Sequence, residues 1–422
     1  MLPHTLGIDF GTSNTAAGLM AGDRPFLIEV EPGKTTLPTC VFFDTQRKIT
    51  TYGSVANRAI IDGREGRFMR ALKSVLGTPL MREERQIAYE RLTLIEVVAR
   101  FLRRVKTQAE DATGLTLTHA VAGRPVKFHS RDAARNDRAL VDLAEAYQIA
   151  GFDDVTFMYE PEAAALAAGA LEPGHLGLIV DIGGGTSDFS IFERVDGETK
   201  ILASNGVRVG GTDFDKAVSL AHVMPLLGRE AEIRNDIGEG TYTAPRALFN
   251  DLASWEKIPF QYTPENRRMA ATFAKRGLQP ELFKRLHDTL ELEVGHDIAF
   301  AVEAGKIAVN TADATAAEID LGLLEPALSA PLSTADLVTD LGPFAAAIRT
   351  CAEQTVAQAD LSPEQISTVV FVGGSSLMHV VRDTMRNLFP AARLEQSEAF
   401  TAVATGLSMA AARADGIVNR GR

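Results

Sequence analysis

Two glycine-containing turns, each entered through an aspartate at the end of an apolar strand, constrain this chain more than any other feature. Asp9 leads into a turn that carries Gly11, Thr12 and Ser13. Asp181, 172 residues further on, leads into a glycine-rich turn that we expect to be two residues longer. Apolar runs joined by such turn residues predict two β-hairpins. The separation is far too long for a solenoid period, so we expect two related lobes that each present one hairpin.

Strands and helices alternate through the rest of the chain. The apolar spacing and the start and stop signals predict helices over 86–113, 131–150, from Glu160 onward and over 377–388, buried strands over 155–159 and 368–372, and a mostly helical stretch over 223–310. Hairpins combined with strand–helix units predict an α/β protein with mixed sheets.

The composition excludes several classes of function. The net charge of -12 opposes binding to nucleic-acid backbones and to anionic membranes. Cys40 and Cys351 lie in no metal-binding pattern, which indicates a reducing compartment and no zinc site. The start of the chain has no signal-peptide pattern and no apolar run is long enough to span a bilayer, so we expect a cytoplasmic protein with neither nucleic-acid nor membrane partners.

The chemistry of the two turns fits a polyphosphate ligand. Glycines let the backbone approach phosphates closely and turn consecutive N–H groups toward them. Asp9 and Asp181 suit a Mg²⁺ ion between them, held directly or through its water shell, and Thr12, Ser13 and Thr186 add hydroxyl donors. One such turn alone is common in ordinary hairpins. The pair is what indicates a clamp around phosphates.

The motifs resemble the seventy-kilodalton heat-shock chaperones of the DnaK type. Seven blocks occur in that family's order: 7–14, 72–77, 159–165, 181–188, 210–215, 303–306 and 370–375. The resemblance implies an actin-like (ribonuclease H-like) ATPase fold, with two mixed-sheet lobes facing a nucleotide cleft, and it implies ATP/ADP and Mg as cofactors.

The resemblance also implies a role for each matching residue. Asp9 and Asp181 are expected to hold the hydrated Mg²⁺. Lys73, Glu160 and Thr186 are expected to surround the γ-phosphate and position the attacking water, with Asp181 also counted as catalytic. The expected phosphate and nucleoside contacts are Gly11, Thr12, Ser13, Gly183, Gly184, Gly185, Gly210, Gly211, Gly373, Gly374 and Ser375, with Glu303 and Lys306 on the ribose side. Without the resemblance, Lys73 reads as a solvated helix lysine and Glu160 as a helix-start carboxylate.

The same resemblance suggests domain borders. Lobe I is expected over 1–176, with an outer subdomain at 39–114 and a returning helix near 399–412. Lobe II is expected over 177–398, with 223–310 as its outer subdomain. The sequence after that last helix is too short for a peptide-binding domain, so we expect none, as in the shortened chaperone-like proteins of the YegD type.

Some positions depart from the family's pattern. The two arginines that commonly flank the adenine are replaced by Ile307 and Leu377, which puts base selectivity in question. An acidic pair that precedes the last helix in the family falls on Phe400 and Thr401. The loop after Pro125 is several residues longer than usual.

These observations predict a slow Mg-dependent ATPase of chaperone-like type whose lobes open and close around nucleotide. The alternatives are an actin-like filament protein, a small-molecule kinase in which Asp188 serves as base, and a nucleotide binder without turnover. A protein partner could contact 223–310, where Trp255, Phe260 and Tyr262 lie, although a lone tryptophan is more often part of a core.

Overall fold

A computed structural model describes residues 4–130, 132–168, 174–196, 198–311, 314–397 and 401–416. Its strands are β1 (Thr5–Phe10), β2 (Asn14–Ala21), β3 (Arg24–Leu27), β4 (Thr36–Pro38), β5 (Cys40–Asp44), β6 (Ile49–Tyr52), β7 (Gly66–Arg70), β8 (Arg85–Ile87), β9 (Glu90–Leu92), β10 (His119–Arg124), β11 (Asp154–Tyr159), β12 (Leu176–Ile182), β13 (Ser187–Val195), β14 (Glu198–Val207), β15 (Glu232–Arg234), β16 (Thr241–Thr243), β17 (Ala316–Asp320), β18 (Ser329–Ser333), β19 (Ile366–Val372) and β20 (Arg393–Gln396). Its α-helices are α1 (Gly53–Ile61), α2 (Leu94–Thr113), α3 (Ala133–Ala150), α4 (Glu160–Ala167), α5 (Gly211–Val218), α6 (Arg246–Leu252), α7 (Pro264–Arg276), α8 (Pro280–Glu291), α9 (Gly295–Val309), α10 (Thr334–Gln358), α11 (His379–Leu388) and α12 (Ala402–Ala414).

The chain divides into two compact units. The first contains the residues up to Gly211 together with those from Ala345 onward, and the second is Thr212–Phe344. The lobe borders suggested by the motifs stay a prediction.

Two sheets of the first unit share one strand plan. One has the order β11-β10-β1-β2-β3, with β4 beside β2, and the other has the order β14-β13-β12-β19-β20. In each sheet a central hairpin continues through an antiparallel strand on one side and through two parallel strands on the other. The predicted α/β class with mixed sheets is confirmed. The similarity between the two hairpins extends to the strand order and strand directions of the two whole sheets.

The two hairpin turns have the same length, so the expectation that the second is two residues longer is wrong. The last paired residues are Phe10 with Thr15 in the first hairpin and Ile182 with Ser187 in the second, which leaves four residues in each turn. In both turns the first residue donates its N–H to the carbonyl of the fourth, over 3.0 and 3.1 Å. Pairing of β12 with β13 continues to Ile182 and Ser187, and this sets the length of the second turn.

Helices α4 and α12 connect the two sheets through a shared core. Helix α12 packs on β1, β2 and β10, helix α4 packs on β12 and β13, and the two helices pack on each other. Gly406 of α12 lies so close to the carbonyl of Ala163 that a Cβ at position 406 would overlap it. The core between them is made of Val121, Ala163, Ala164, Ala165, Ile179, Phe192, Val370, Val372, Ala402, Val403, Leu407 and Ala411.

One predicted helix starts later than expected. The apolar spacing over 86–113 suggested one helix, but residues up to 92 form the β8–β9 hairpin and α2 begins at Leu94. Thr93 and Glu96 form a capping box at its N-terminus, which satisfies helix N–H groups that have no intrahelical partner. Gly114, with φ of 68°, ends the helix as predicted.

Other elements follow the predictions with smaller differences. The strand predicted over 155–159 is β11, an edge strand of exposed and half-buried residues, so its predicted burial is wrong. Helix α3 is capped by Asp132, and the predicted residue 131 lies outside the described residues. The predicted returning helix is α12. Residue 399, where that helix was predicted to begin, and Phe400 lie outside the described residues.

The second unit is mostly helical, as predicted for 223–310, with a short hairpin of β15 and β16 and a pair of strands, β17 and β18. Trp255 is 1% exposed, so the interpretation of this residue as part of a core is confirmed. None of the helices in the described residues combines the length and the apolar composition that a bilayer crossing needs.

Candidate functional site

The turns 11–14 and 183–186 face each other within the first unit. A Cβ built on Gly184 would lie 3.1 Å from the Cβ of Thr12 and would overlap the hydroxyl of Ser13. A Cβ built on Gly185 would lie 3.0 Å from Oγ1 of Thr12. Glycine permits this approach without a rearrangement, because a Cβ on Gly184 would displace the Ser13 hydroxyl and crowd Thr12. The structure therefore brings together the two turns that the sequence singled out.

Two further glycine loops pack against the second turn. The N–H of Gly211 donates to the carbonyl of Gly183 over 2.9 Å, and a Cβ on Gly210 would lie 2.5 Å from the N atom of Gly185. Gly373, with φ of 79°, lies over Asp181, where a Cβ would approach Oδ1 to 2.8 Å. The chain continues from there into the 3₁₀ segment Gly374–Leu377, which contains Ser375. The predicted loops at 183–185, 210–211 and 373–375 thus meet in one place.

Lys73 and Glu160 form a buried ion pair. The Nζ of Lys73 lies 2.5 Å from Oε1 of Glu160, and their side chains are 5% and 11% exposed. Lys73 is on the 3₁₀ segment Leu72–Val75, which begins after Ala71 in a left-handed conformation with φ of 60°. That conformation costs an ordinary residue about 1 kcal/mol or more, so packing must hold it in place. Neither side chain is the solvated surface group that its local sequence alone suggests.

Asp9, Glu160, Asp181 and Asp188 form a group of carboxylates around Lys73, here called the acidic cluster. Burial alone disfavours the ammonium of Lys73, but Glu160, Asp9 and Asp188 outweigh it and raise the pKa of Lys73. Lys73 in turn acts on Asp9, Asp181 and Asp188, whose pKa values it lowers. The lysine is therefore charged and partly neutralises the cluster.

Burial and the neighbouring carboxylates outweigh the effect of Lys73, so the pKa values of Asp9, Asp181 and Asp188 are raised. Loss of hydration and the nearby Glu160 carboxylate raise the pKa of Asp9 to about 7, although Asp9 stays half-buried. The same two causes raise the pKa of Asp188 to about 7, against hydrogen bonds from Thr186 and from the N–H of Val126. Burial and three neighbouring carboxylates raise the pKa of Asp181 well above its usual range. Such a cluster favours a bound cation.

The cluster fits a hydrated Mg²⁺ better than a bare one. No three His, Cys, Asp or Glu side chains of the described residues are placed to bind a metal ion together. Mg²⁺ usually keeps several waters and takes one or two carboxylates plus substrate phosphates. Asp9 and Asp181 would hold such an ion through its water shell, and it would neutralise phosphate charge.

The long loop after Pro125 ties the Lys73 segment to the second sheet. The N–H of Val126 donates to Asp188 over 2.6 Å, and Lys127 Nζ donates to the side chain of Asn205 over 2.7 Å. At the far end of the loop, His129 Nε2 donates to the carbonyl of Leu76 over 2.6 Å. The loop is thus part of the support around the acidic cluster.

Glu303 and Lys306 belong to the second unit, on α9. Lys306 is 6% exposed, and its Nζ lies 2.5 Å from Oδ1 of Asp215. The indole N–H of Trp255 donates to the other oxygen of the same carboxylate over 3.0 Å. The neighbouring Ile307 is 58% exposed. Lys306 therefore has a structural partner that the sequence did not indicate.

Sequence reasoning missed the positions of three residues, which are Asp188 within the acidic cluster and Tyr147 and Ser74 near it. The sequence indicates Asp188 only as a possible kinase base, but strand pairing sets it directly opposite Asp181. A turn of four residues between Ile182 and Ser187 places these two aspartates opposite each other. Tyr147 is fully buried, and its hydroxyl has no hydrogen-bond partner within the described part of the chain. Burial, Asp9 and Glu160 raise the pKa of Tyr147 well above its usual value. The third is Ser74, and no sequence signal marks Tyr147 or Ser74.

Comparison with known families agrees with the motifs. The sequence model of the family described as Hsp70 protein matches this chain over residues 5–237 and 295–419. Every residue predicted for the site lies in the matched stretches. The unmatched stretch 238–294 lies inside the region 223–310 that was predicted to be mostly helical.

Proposed function

Because this chain belongs to the Hsp70 family, chaperone-like ATP-binding proteins whose members are ATPases, we propose that it binds Mg·ATP at the facing turns and hydrolyses it slowly. Family membership also implies the actin-like ATPase fold, in keeping with the mixed sheets described above. The observation that carries the proposal is the approach of turns 11–14 and 183–186 beside a buried Lys73–Glu160 pair.

Each part of the site has a task in this proposal. The N–H groups and hydroxyls of the two turns bind the phosphates, as close-approaching glycine turns do. Asp9 and Asp181 hold the hydrated Mg²⁺. Lys73, Glu160 and Thr186 surround the γ-phosphate and orient the attacking water. Little covalent chemistry is needed, because phosphoryl transfer depends mainly on positioning and on neutralising charge.

The nucleoside is proposed to lie along Gly373, Gly374 and Ser375, with Glu303 and Lys306 on the ribose side. An ammonium group has three donors, so Lys306 can keep its bond to Asp215 and still donate to a ribose oxygen.

The proposal includes movement of the predicted lobes between open and closed states as nucleotide is bound and hydrolysed. A protein partner is proposed to contact the surface of 223–310. Trp255 is buried and cannot contribute to that surface, but Ile237 is 93% exposed and Tyr242 is 40% exposed on the β15–β16 hairpin. The two free, buried cysteines support a cytoplasmic location.

Calorimetric titration with Mg·ATP, Mg·ADP and Mg·GTP tests nucleotide binding, and phosphate release is followed in parallel. We expect binding of adenine nucleotides, a large loss of affinity in Asp9→Asn, and slow phosphate release that depends on Lys73. Absence of binding at millimolar nucleotide would overturn the proposal. Binding without release, unchanged by Lys73→Ala, would leave a nucleotide-binding protein and remove the ATPase.

A further inference from the structure

Lys73 lies on a single 3₁₀ turn, the segment Leu72–Val75, which follows Ala71 in its left-handed conformation. The N–H of Ser74 donates to the carbonyl of Ala71 over 3.0 Å, and the N–H of Leu76 donates to the carbonyl of Lys73 over 3.4 Å. Hydrogen bonds of a 3₁₀ turn have poorer geometry than those of an α-helix, and the last carbonyls of a helical segment have no partner inside it. The position of Lys73 therefore depends also on groups from elsewhere in the chain.

His129 is one of these groups. Its Nε2 donates to the carbonyl of Leu76 over 2.6 Å. A carbonyl oxygen only accepts, so this ring nitrogen carries the proton. Burial lowers the pKa of His129, so the ring is neutral at pH 7 and adds no charge there. His129 thus satisfies a carbonyl at the end of the Lys73 turn.

Arg208 holds the same turn and is joined to the loop that carries His129. Its Nη2 donates to the carbonyl of Ser74 over 3.4 Å, and its N–H donates to Oγ of Ser130 over 2.5 Å. Ser130 follows His129 directly in the chain. Two carbonyls just after Lys73, those of Ser74 and Leu76, are therefore bound by one connected support.

The loop that carries His129 also contacts the acidic cluster. The N–H of Val126 donates to Oδ1 of Asp188 over 2.6 Å, and Asp188 is one of the carboxylates that raise the pKa of Lys73. The loop therefore bonds both to the turn that carries Lys73 and to a carboxylate that acts on its ammonium.

We propose that His129 is a positioning residue for ATP hydrolysis, which acts through the carbonyl of Leu76 to keep the ammonium of Lys73 beside Glu160. This rests on the proposed nucleotide function. Phosphoryl transfer depends on positioning, and a displacement of about 1 Å can lower a rate by about 10²-fold. Loss of the His129 bond lowers the rate of phosphate release and leaves the nucleotide affinity of turns 11–14 and 183–186 in place.

The test compares His129→Leu, which fills the space of the ring without a donor, with His129→Gln, which keeps an N–H donor. Phosphate release is followed in a single turnover with saturating Mg·ATP, and the affinity for Mg·ADP is measured by calorimetry. We expect His129→Leu to lower the rate about tenfold to hundredfold and to leave the affinity within about twofold. His129→Gln should recover most of the rate. The control is Arg103→Met, which removes another side-chain bond to a backbone carbonyl, that of Ile149, and should change neither quantity.

The double variant Lys73→Ala/His129→Leu separates positioning of Lys73 from general support of the fold. Residues that act as a unit give losses that are not additive. Once the ammonium is absent, His129→Leu should therefore lower the rate by no more than about twofold. A full further loss in the Lys73→Ala background would overturn the proposal. A loss of Mg·ADP affinity as large as the loss of rate would also overturn it.

Failure of this proposal is distinguishable from failure of the function on which it rests. If the wild type binds no nucleotide or releases no phosphate, the nucleotide function fails. If the wild type releases phosphate and His129→Leu keeps the full rate, only the role of His129 fails. Thermal unfolding of each variant checks the fold. If His129→Leu does not fold, Arg208→Met, which removes the bond to the carbonyl of Ser74, takes its place with the same expected loss and the same contradicting outcomes.

Discussion

Asp181 and Asp188 are direct cross-strand partners on β12 and β13, so two buried carboxylates lie opposite each other beside the second turn. Like charges in directly opposite positions repel each other and destabilise a sheet. The fold accepts this arrangement next to Lys73, whose ammonium lowers the pKa of both aspartates against burial and the neighbouring carboxylates, which raise it.

The first prediction concerns pH. The pKa of Asp188 is raised to about 7, whereas a carboxyl of the unfolded chain titrates near 4. Between these values the folded protein binds more protons than the unfolded chain, so its free energy of unfolding falls as the pH rises from about 4 to 7. In Asp188→Asn, the decrease in the free energy of unfolding with rising pH should be smaller by roughly 1 kcal/mol per pH unit. Urea unfolding without Mg²⁺ or nucleotide at pH 5 to 8 measures it, with Asp23→Asn, in an exposed turn, as control. Parallel curves for the wild type and Asp188→Asn would contradict the prediction.

The second prediction concerns Lys73. Lys73→Ala removes the ammonium that neutralises the acidic cluster and should lower the rate of phosphate release by about 10²–10³-fold. Single-turnover phosphate release measures the effect. Lys200→Ala removes an exposed lysine that pairs with Glu193 and should leave the rate unchanged. Equal rates for Lys73→Ala and the wild type would show that this charge has no part in turnover.

The third prediction concerns the approach of the two turns. Gly184→Ala adds a Cβ that displaces the hydroxyl of Ser13, one of the proposed phosphate donors, and crowds Thr12. We expect about tenfold or greater loss of Mg·ADP affinity, measured by calorimetry. Gly342→Ala adds the same atom to helix α10, where no atom lies within 4 Å of it, and should leave the affinity intact. An unchanged affinity in Gly184→Ala would mean that this spacing does not matter for the phosphates.

The fourth prediction concerns the second unit. Lys306→Met leaves Asp215 buried without its cation and should lower the free energy of unfolding by about 3–5 kcal/mol. The double variant Lys306→Met/Asp215→Asn removes the stranded charge and should recover much of that loss. Trp255 is the sole tryptophan and donates to Asp215, so its fluorescence reports unfolding.

The control for this experiment is the exposed pair of Lys284 and Asp288 on α8. Lys284→Met should change the stability by less than about 0.5 kcal/mol. If Lys306→Met is as mild as Lys284→Met, the buried pair is not what holds α5 and α9 together.

Local patterns in the sequence predicted much of the fold. The hairpins at Asp9 and Asp181, the helix that starts at Glu160, and the helix end at Gly114 follow from strand periodicity, proline and glycine. The start of α2 and the edge position of β11 did not follow. The capping box of Thr93 and Glu96 sets the start of α2, and the edge position of β11 depends on how the whole sheet is ordered.

The sequence by itself determined the family and the set of groups that face the nucleotide in the proposed function, because motif order and turn chemistry are properties of the chain. Tertiary structure decided which of these groups meet. Lys73 reaches Glu160 across 87 positions, and Lys306 reaches Asp215 across 91. Ser74 faces Gly185, and Tyr147 is close enough to Asp9 and Glu160 for their charges to shift its pKa. These pairings depend on the packing of sheets and helices that are remote in sequence, and burial then sets their pKa values, so no local pattern encodes them.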